Sequence, residues 1–174
     1  CLHRNWLKRW GSNNNIDSAV ELIDQNTNCS IESVSSIYET SPYGDIEQNE
    51  FFNAVIKIKT DLELIGLFHL LKSVEKQVGR KITAKWGPRE IDLDILLFND
   101  LIYSDEEITV PHKDMLNRDF VLVPLIEIEP EIVHPELKKK ISEISIFEYE
   151  PEQISASGKK PNIIRKIPHR VLIK

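Results

Sequence analysis

Two aspartates stand two residues apart, at 92 and 94, inside the otherwise apolar run Ile91-Asp92-Leu93-Asp94-Ile95-Leu96-Leu97-Phe98. If the run is a strand, successive side chains alternate between faces. Both acids then share one face, and Leu93 and Ile95 take the other. Asp is disfavoured in strands, so two in one strand set local propensity against the surrounding pattern. Such conflicts tend to mark functional sites. Two carboxylates on one face suit a hard cation, and Mg²⁺ takes one or two carboxylates plus phosphate oxygens. Just upstream, Trp86, Gly87, Pro88 and Arg89 supply a planar apolar surface, a tight turn and a fixed cation. A metal cradle beside an arginine is equipment for phosphoryl transfer. The competing account is an edge strand with two solvated acids.

The rest of the composition narrows the class. At 174 residues the chain can form one domain with a real core. A hydrophobic content of 41% with 29% charged residues fits a folded rather than a disordered chain. The net charge of −6 argues against a general nucleic-acid surface. Only Cys1 and Cys29 are present, which implies no disulfide framework and leads to the expectation of a reducing, cytoplasmic setting. No apolar run is long enough to span a bilayer and no signal-peptide pattern is evident, so no membrane partner is expected. Because the chain starts at Cys1 rather than Met, a fragment, a processed form or part of a longer product is expected.

Along the chain, residues 1–10 are basic and weakly patterned, and residues 11–15 form a turn cluster. Asp17 is positioned to cap a short helix over residues 18–24. Residues 31–38 read as one strand. Residues 51–59 alternate, with Phe52, Ala54, Ile56 and Ile58 on one face. The clearest helix covers residues 61–78: Leu64, Leu67, Phe68, Leu71, Val74 and Val78 follow the helical repeat, Thr60 and Glu63 have capping-box spacing, and Gly79 is a stop. Residues 80–84 make a basic loop. Residues 101–104 suggest a short hairpin partner, 124–128 a short helix and 141–144 the end of the compact part. Beyond residue 148 the pattern degrades into a basic tail or linker, expected to be solvated and partly ordered, or else a late strand, a basic contact arm or the stub of another domain. The order of elements predicts an α+β fold: a ferredoxin-like βαββαβ core with extra strands, a mainly antiparallel sheet and helices packed on it.

Two long segments are more specific than any of this. They are Trp86-Gly87-Pro88-Arg89-Glu90-Ile91-Asp92-Leu93-Asp94-Ile95 and Thr109-Val110-Pro111-His112-Lys113-Asp114-Met115-Leu116-Asn117-Arg118, the latter followed by Phe120 and Pro124-Leu125. With Gly11-Ser12-Asn13 and Phe51-Phe52-Asn53-Ala54, the chain resembles the 6-hydroxymethyl-7,8-dihydropterin pyrophosphokinase family of folate biosynthesis over roughly residues 11–146. The resemblance implies transfer of pyrophosphate from ATP, as co-substrate, to the hydroxymethyl group of a reduced pterin, releasing AMP. It implies two Mg²⁺ ions on Asp92 and Asp94, with Arg80, Lys85 and Arg89 as cations of a loop that closes over ATP. It places Ile95, Thr109, His112 and Arg118 at the nucleotide, and Thr40, Ser41, Tyr43, Phe51, Asn53, Trp86 and Phe120 at the pterin. No general base is evident, and positioning with electrostatics can suffice. Taken singly, His112 fits a capped turn, Arg118 a surface ion pair, and Phe51 and Phe120 core residues. Asn53 in mid-strand is harder to explain as core.

On this resemblance residues 1–148 form the pyrophosphokinase-like domain, with 1–10 an atypical first strand, and 149–174 a tail of unknown role. The partners are small molecules, with no nucleic acid, and fusion to or association with another folate-pathway enzyme is left open. Three departures stand out. Lys8 and Arg9 fall where a buried apolar strand is expected, at a cost unless their charges reach water, so this end is non-native or frayed. The interval between Asn13 and Ala19 is short, so the first helix is clipped. The loop after Arg80 is a residue short, with Ile82 where a basic residue is common and Lys85 in place of an arginine, losing the bidentate fork. Two other readings remain: a ferredoxin-like module that binds nucleic acid or a partner through its sheet, and an inactive relative of the kinase.

Overall fold

The alternating run at 51–59 becomes the strand around which the sheet is assembled. In a computed structural model, the described residues are 3–11, 13–40, 51–80, 90–144 and 163–167, with backbone alone for 3–11, 13, 14 and 164. In chain order the strands are β1 (His3–Gly11), β2 (Cys29–Val34), β3 (Ile37–Thr40), β4 (Phe51–Thr60), β5 (Ile91–Phe98), β6 (Tyr103–Ser104), β7 (Thr109–Val110) and β8 (Ile163–Ile167). The helices are α1 (Asn13–Asp24), α2 (Leu64–Gln77), α3 (Asp119–Ile128) and α4 (Ile141–Ile144). The main sheet runs β5-β1-β4-β3-β8, with β2 also paired to β4, and each of these pairings is antiparallel. This is the βαββαβ order with extra strands, in an α+β arrangement.

Burial explains the layering. On one face of the sheet, Ile56 and Ile58 of β4 and Leu93 and Ile95 of β5 pack with Ala19, Val20 and Ile23 of α1 and Leu67, Leu71 and Val74 of α2. On the other face, Val55 and Leu96 pack with Phe120, Val121, Leu122 and Leu125 of α3. Each fully buried Leu, Ile or Val contributes about 1.5–3 kcal/mol, so both helix layers are held by their apolar stripes. Gly79 ends α2 with a φ of 103°, a conformation that suits glycine.

The structure corrects several element boundaries. β1 is not frayed: it pairs from His3 to Gly11 with β4, and from Asn5 to Gly11 with β5. Helix α1 starts at Asn13, not after Asp17, and Ile16 in its first turns is fully buried. The strand expected over 31–38 is two strands, because Ser35 hydroxyl chemistry interrupts the ladder. Its Oγ donates to the Ser36 carbonyl at 2.8 Å and accepts from Val55 N–H at 2.9 Å. The Thr60–Glu63 capping box does not form: Glu63 is the N-cap without a side-chain cap bond, and Thr60 Oγ1 donates to Asn28 O at 2.7 Å. Residues 101–104 pair through β6 with β7, and α3 begins at Asp119 and carries Pro124 inside it. In the basic tail, residues 163–167 are a strand, one of the alternatives open from sequence.

Candidate functional site

Strand β5 lies at the end of the sheet, and its alternation puts Asp92 and Asp94 half-exposed while Ile91, Leu93 and Ile95 are buried on the other side. The two carboxylates therefore share a face, as the spacing predicts. That face is the one covered by α3, since Leu96, the next residue of the same parity, packs there. The pairing register extends the row. Asn53 of β4 stands opposite Trp10 of β1, and Trp10 stands opposite Asp92. Directly opposed residues lie on one face, so Asn53 and Asp92 share it, two strand spacings or roughly 10 Å apart.

The outer side of β5 is fastened by a residue that sequence reasoning passed over. Glu75 of α2 is 1% exposed. Its Oε1 accepts Leu93 N–H at 2.7 Å and Lys72 Nζ at 2.9 Å, and its Oε2 takes the Arg80 guanidinium. Lys72 also donates to Leu93 O at 3.3 Å. Arg80 reaches on to Asp92 Oδ1 at 3.1 Å. A single buried carboxylate thus fixes the backbone between the two aspartates and aims an arginine at one of them. The signal was present: Glu75 stands four residues after Leu71, on the apolar stripe of the helix, where a charge needs a partner.

Beside β5 a cleft of about 250 Å³ is lined by Lys72, Asp94, Ile95, Thr109 and His112 among others. The residues that the resemblance assigns to a nucleotide, apart from Arg118, therefore meet here with one of the aspartates. His112 N–H donates to Leu96 O at 2.9 Å, which ties the loop after β7 to β5. Its Nδ1 accepts Asp114 N–H at 3.2 Å. On the rim, Asp105 accepts Ile108 N–H at 2.7 Å, the Tyr103 hydroxyl at 2.8 Å and Glu107 N–H at 2.8 Å, and these bonds hold its carboxyl below the ordinary value. Arg118 contacts Asp114 at 3.2 Å, and its guanidinium carbon lies 5.9 Å from the Phe120 ring centroid.

The second half of the site is less polar. Phe51 and Asn53 share a face of β4 by alternation, and Phe120 lies in the first turn of the helix that covers that face. Asn53 is 1% exposed, its Nδ2 donates to Thr40 Oγ1 at 2.8 Å, and its Oδ1 has no hydrogen-bond partner. Whichever way the amide is turned, one end is bonded to Thr40 and the other is buried and unmatched. Phe120 is 6% exposed and also belongs to the core, so both accounts of it hold together. Ser41, Tyr43, Lys85, Trp86 and Arg89 lie outside the described residues.

The donor set suits magnesium. Among the described residues no group of three or more His, Cys, Asp and Glu forms a metal cage. Two half-exposed carboxylates on one face leave the remaining positions to phosphate and water oxygens, as Mg²⁺ prefers. No helix among the described residues is long and apolar enough to cross a membrane.

Comparison with known proteins shows a family and a shared fold. The family model described as 7,8-dihydro-6-hydroxymethylpterin-pyrophosphokinase matches residues 9–130. The 2-amino-4-hydroxy-6-hydroxymethyldihydropteridine pyrophosphokinase of Aquifex aeolicus is 46% identical over 113 residues, covering 65% of this chain and 71% of the relative. The enzyme of the same name from Haemophilus influenzae is 38% identical over 142 residues, covering 78% and 89%. Among solved structures, wild-type HPPK-DHPS of Plasmodium falciparum superposes with a TM-score of 0.66 at 14% identity, which shows a shared fold. The match covers 83% of this chain but 43% of that one, so the chain spans less than half of the solved protein.

Proposed function

The chain belongs to the 7,8-dihydro-6-hydroxymethylpterin-pyrophosphokinase family, and from that membership we infer a reaction and a role for each part of the site. The enzyme moves the β,γ-pyrophosphoryl unit of ATP to the hydroxymethyl oxygen of the reduced pterin. A bond forms between that oxygen and the β-phosphorus, the bond from the β-phosphorus to the α,β-bridging oxygen breaks, AMP departs, and the hydroxyl proton passes to solvent.

The observation that carries the site assignment is the shared sheet face. Asn53, with its unmatched amide end, and Asp92 stand on it with β1 between them. A pterin bonded at Asn53 and flanked by Phe51 and Phe120 would point its hydroxymethyl arm along this row toward Asp92 and Asp94. The ring's amide-like edge offers donors and acceptors that match a carboxamide. Thr40 holds Asn53 in orientation, and Ser41, Tyr43 and Trp86 are proposed to complete the pocket. Asp92 and Asp94 would hold two Mg²⁺ ions, which when bound offset the charge of the phosphates and orient them. Ile95, Thr109 and His112 would line the nucleotide cleft, with Arg118 addressing phosphate from the side of Phe120. Arg80, anchored by Glu75, would contribute a fixed positive charge, joined by Lys85 and Arg89. Residues 1–148 are proposed as the catalytic unit, and relatives in which it is joined to a second enzyme suggest association with another folate-pathway activity.

The test is AMP release from Mg-ATP in the presence and absence of 6-hydroxymethyl-7,8-dihydropterin. AMP formation dependent on the pterin is expected, and equal rates with and without it would reject the assignment.

A further inference from the structure

Strand β8 lies beyond the residues matched by the family model, and its contacts reach past the sheet. It pairs with β3 through Ile37↔Ile167, Tyr38↔Lys166 and Glu39↔Arg165, and the register shifts before Thr40↔Ile163. At that shift Ile163 N–H donates to Asp119 Oδ2 at 3.2 Å. Asp119 is the first residue of α3, 2% exposed, and its Oδ1 accepts Phe120 N–H at 2.8 Å. Three residues along, Lys166 Nζ meets Glu127 Oε1 at 3.0 Å near the far end of α3 and lies 5.8 Å from the centroid of the Tyr38 ring. Glu127 also accepts Ser36 N–H at 3.1 Å, the Ser36 hydroxyl at 2.8 Å and the Tyr38 hydroxyl at 2.9 Å. Arg165, on the intervening position, pairs with the buried carboxylate of Glu39.

The lengths agree. From residue 119 to 127 a helix advances about 12 Å, and from 163 to 166 a strand advances about 10 Å. The strand therefore runs beside the helix and fastens it to β3 at both ends. Its first residue is linked to a neighbour of each of two residues assigned to the pterin, Asn53 and Phe120. Ile163 stands opposite Thr40, the partner of Asn53, and its N–H holds the residue that precedes Phe120.

We propose that β8 is a strap that sets the gap between Phe120 and the Thr40–Asn53 wall, so that the Ile163 N–H and the Lys166 ammonium are positioning groups for the pterin. This rests on the assignment of Phe120, Asn53 and Thr40 to that substrate. A strand that only lengthened the sheet would lower stability when damaged, and would not separate the affinities of the two substrates.

The test uses the full chain. Ile163→Pro removes one N–H at a place where the ladder does not use it, and Ile163→Ala keeps the N–H. Binding of 6-hydroxymethylpterin is followed by fluorescence titration, KM for Mg-ATP by AMP release, and exchange of the Phe120 amide by hydrogen–deuterium exchange. Ile163→Pro is expected to weaken pterin binding about tenfold, to leave the ATP KM within about twofold, and to speed exchange at Phe120. Ile163→Ala keeps the N–H but trims a side chain packed against the cluster that holds Phe120, so it should cost clearly less pterin affinity than Ile163→Pro, and Lys166→Met should shift pterin binding in the same direction and be restored by Lys166→Arg. Undiminished pterin binding in Ile163→Pro, or equal losses of pterin and ATP affinity in both Ile163 variants, overturns the strap. If the wild type binds no pterin, the substrate assignment is what fails. The strap is then decided by exchange, and an unchanged Phe120 amide in Ile163→Pro would reject it.

Discussion

Around Leu93 the polar groups are matched. Glu75 takes the Leu93 N–H, Lys72 and Arg80, and Arg80 also meets Asp92. Around Asn53, some two strands away on the sheet, an equally buried amide keeps one end unmatched. The first region is built before any ligand arrives, and buried charge leaves it little choice, since an unpaired buried charge is far more costly than a paired one. The second tolerates an unmet neutral acceptor, a smaller cost that a bound ring can remove. On the proposed assignment phosphate charge would meet a rigid frame, while the ring would be selected by an unmatched amide end.

The contrast can be attacked from either side. The largest effect is expected at the acids: Asp94→Ala should cut turnover on the order of a thousandfold while the thermal midpoint stays near wild type. AMP release at the wild-type rate would remove Asp94 from the mechanism. Glu75→Ala comes next, because it orphans the Leu93 N–H and takes a carboxylate from both Lys72 and Arg80, leaving Arg80 with Asp92. A loss of about 3 kcal/mol in urea unfolding is expected, with a raised ATP KM, and a change under about 0.5 kcal/mol would show that the frame is not held by this carboxylate. Asn53→Ala should raise the pterin KM about tenfold and leave the ATP KM alone. Parallel rises in both would erase the distinction between the two regions.

The smallest effect concerns acid. Burial alone would raise the Glu127 carboxyl, but hydrogen bonds from Ser36, Lys166 and Tyr38 and the Lys166 charge outweigh it and hold the group below its usual 4.5. The sign follows from the depressed value. Its contribution to stability is complete above the unfolded-state value and fades as pH falls through the folded one. Melts of Glu127→Gln and wild type should therefore converge at low pH and differ at neutrality, by a modest amount given the exposure of the group. A constant difference across that range would assign the stabilisation elsewhere.

Alternation and helical periodicity made the sheet's centre and α2 legible, and the Asp92–Asp94 spacing disclosed the shared face before any coordinate. The break at Ser35–Ser36 was not legible, because it depends on a hydroxyl reaching Val55, twenty residues along. Nor was the early start of α1, where Asn15 finds Glu90 O at 2.8 Å across the chain. Thr60 had the spacing of a cap, yet its Oγ1 accepts Leu62 N–H at 3.1 Å, one residue short of the capping-box position, while donating to Asn28 O. Glu75 and Glu127 were visible as acids, but their roles arise only when α2 meets β5 and α3 meets β3. The tail left several options open, and the paired contacts with Asp119 and Glu127 distinguish the strand at 163–167 from a free arm.

The hold of Glu75 and Lys72 on Leu93 has a consequence for life in a crowded solution. The outermost strand of a sheet offers unmet amides and carbonyls to any passing chain, and such margins are where proteins polymerise. Here an acid and an amine occupy the middle of that margin, and His112 occupies Leu96 O further along. The group that steadies the aspartates thereby also keeps one molecule from zipping onto the next.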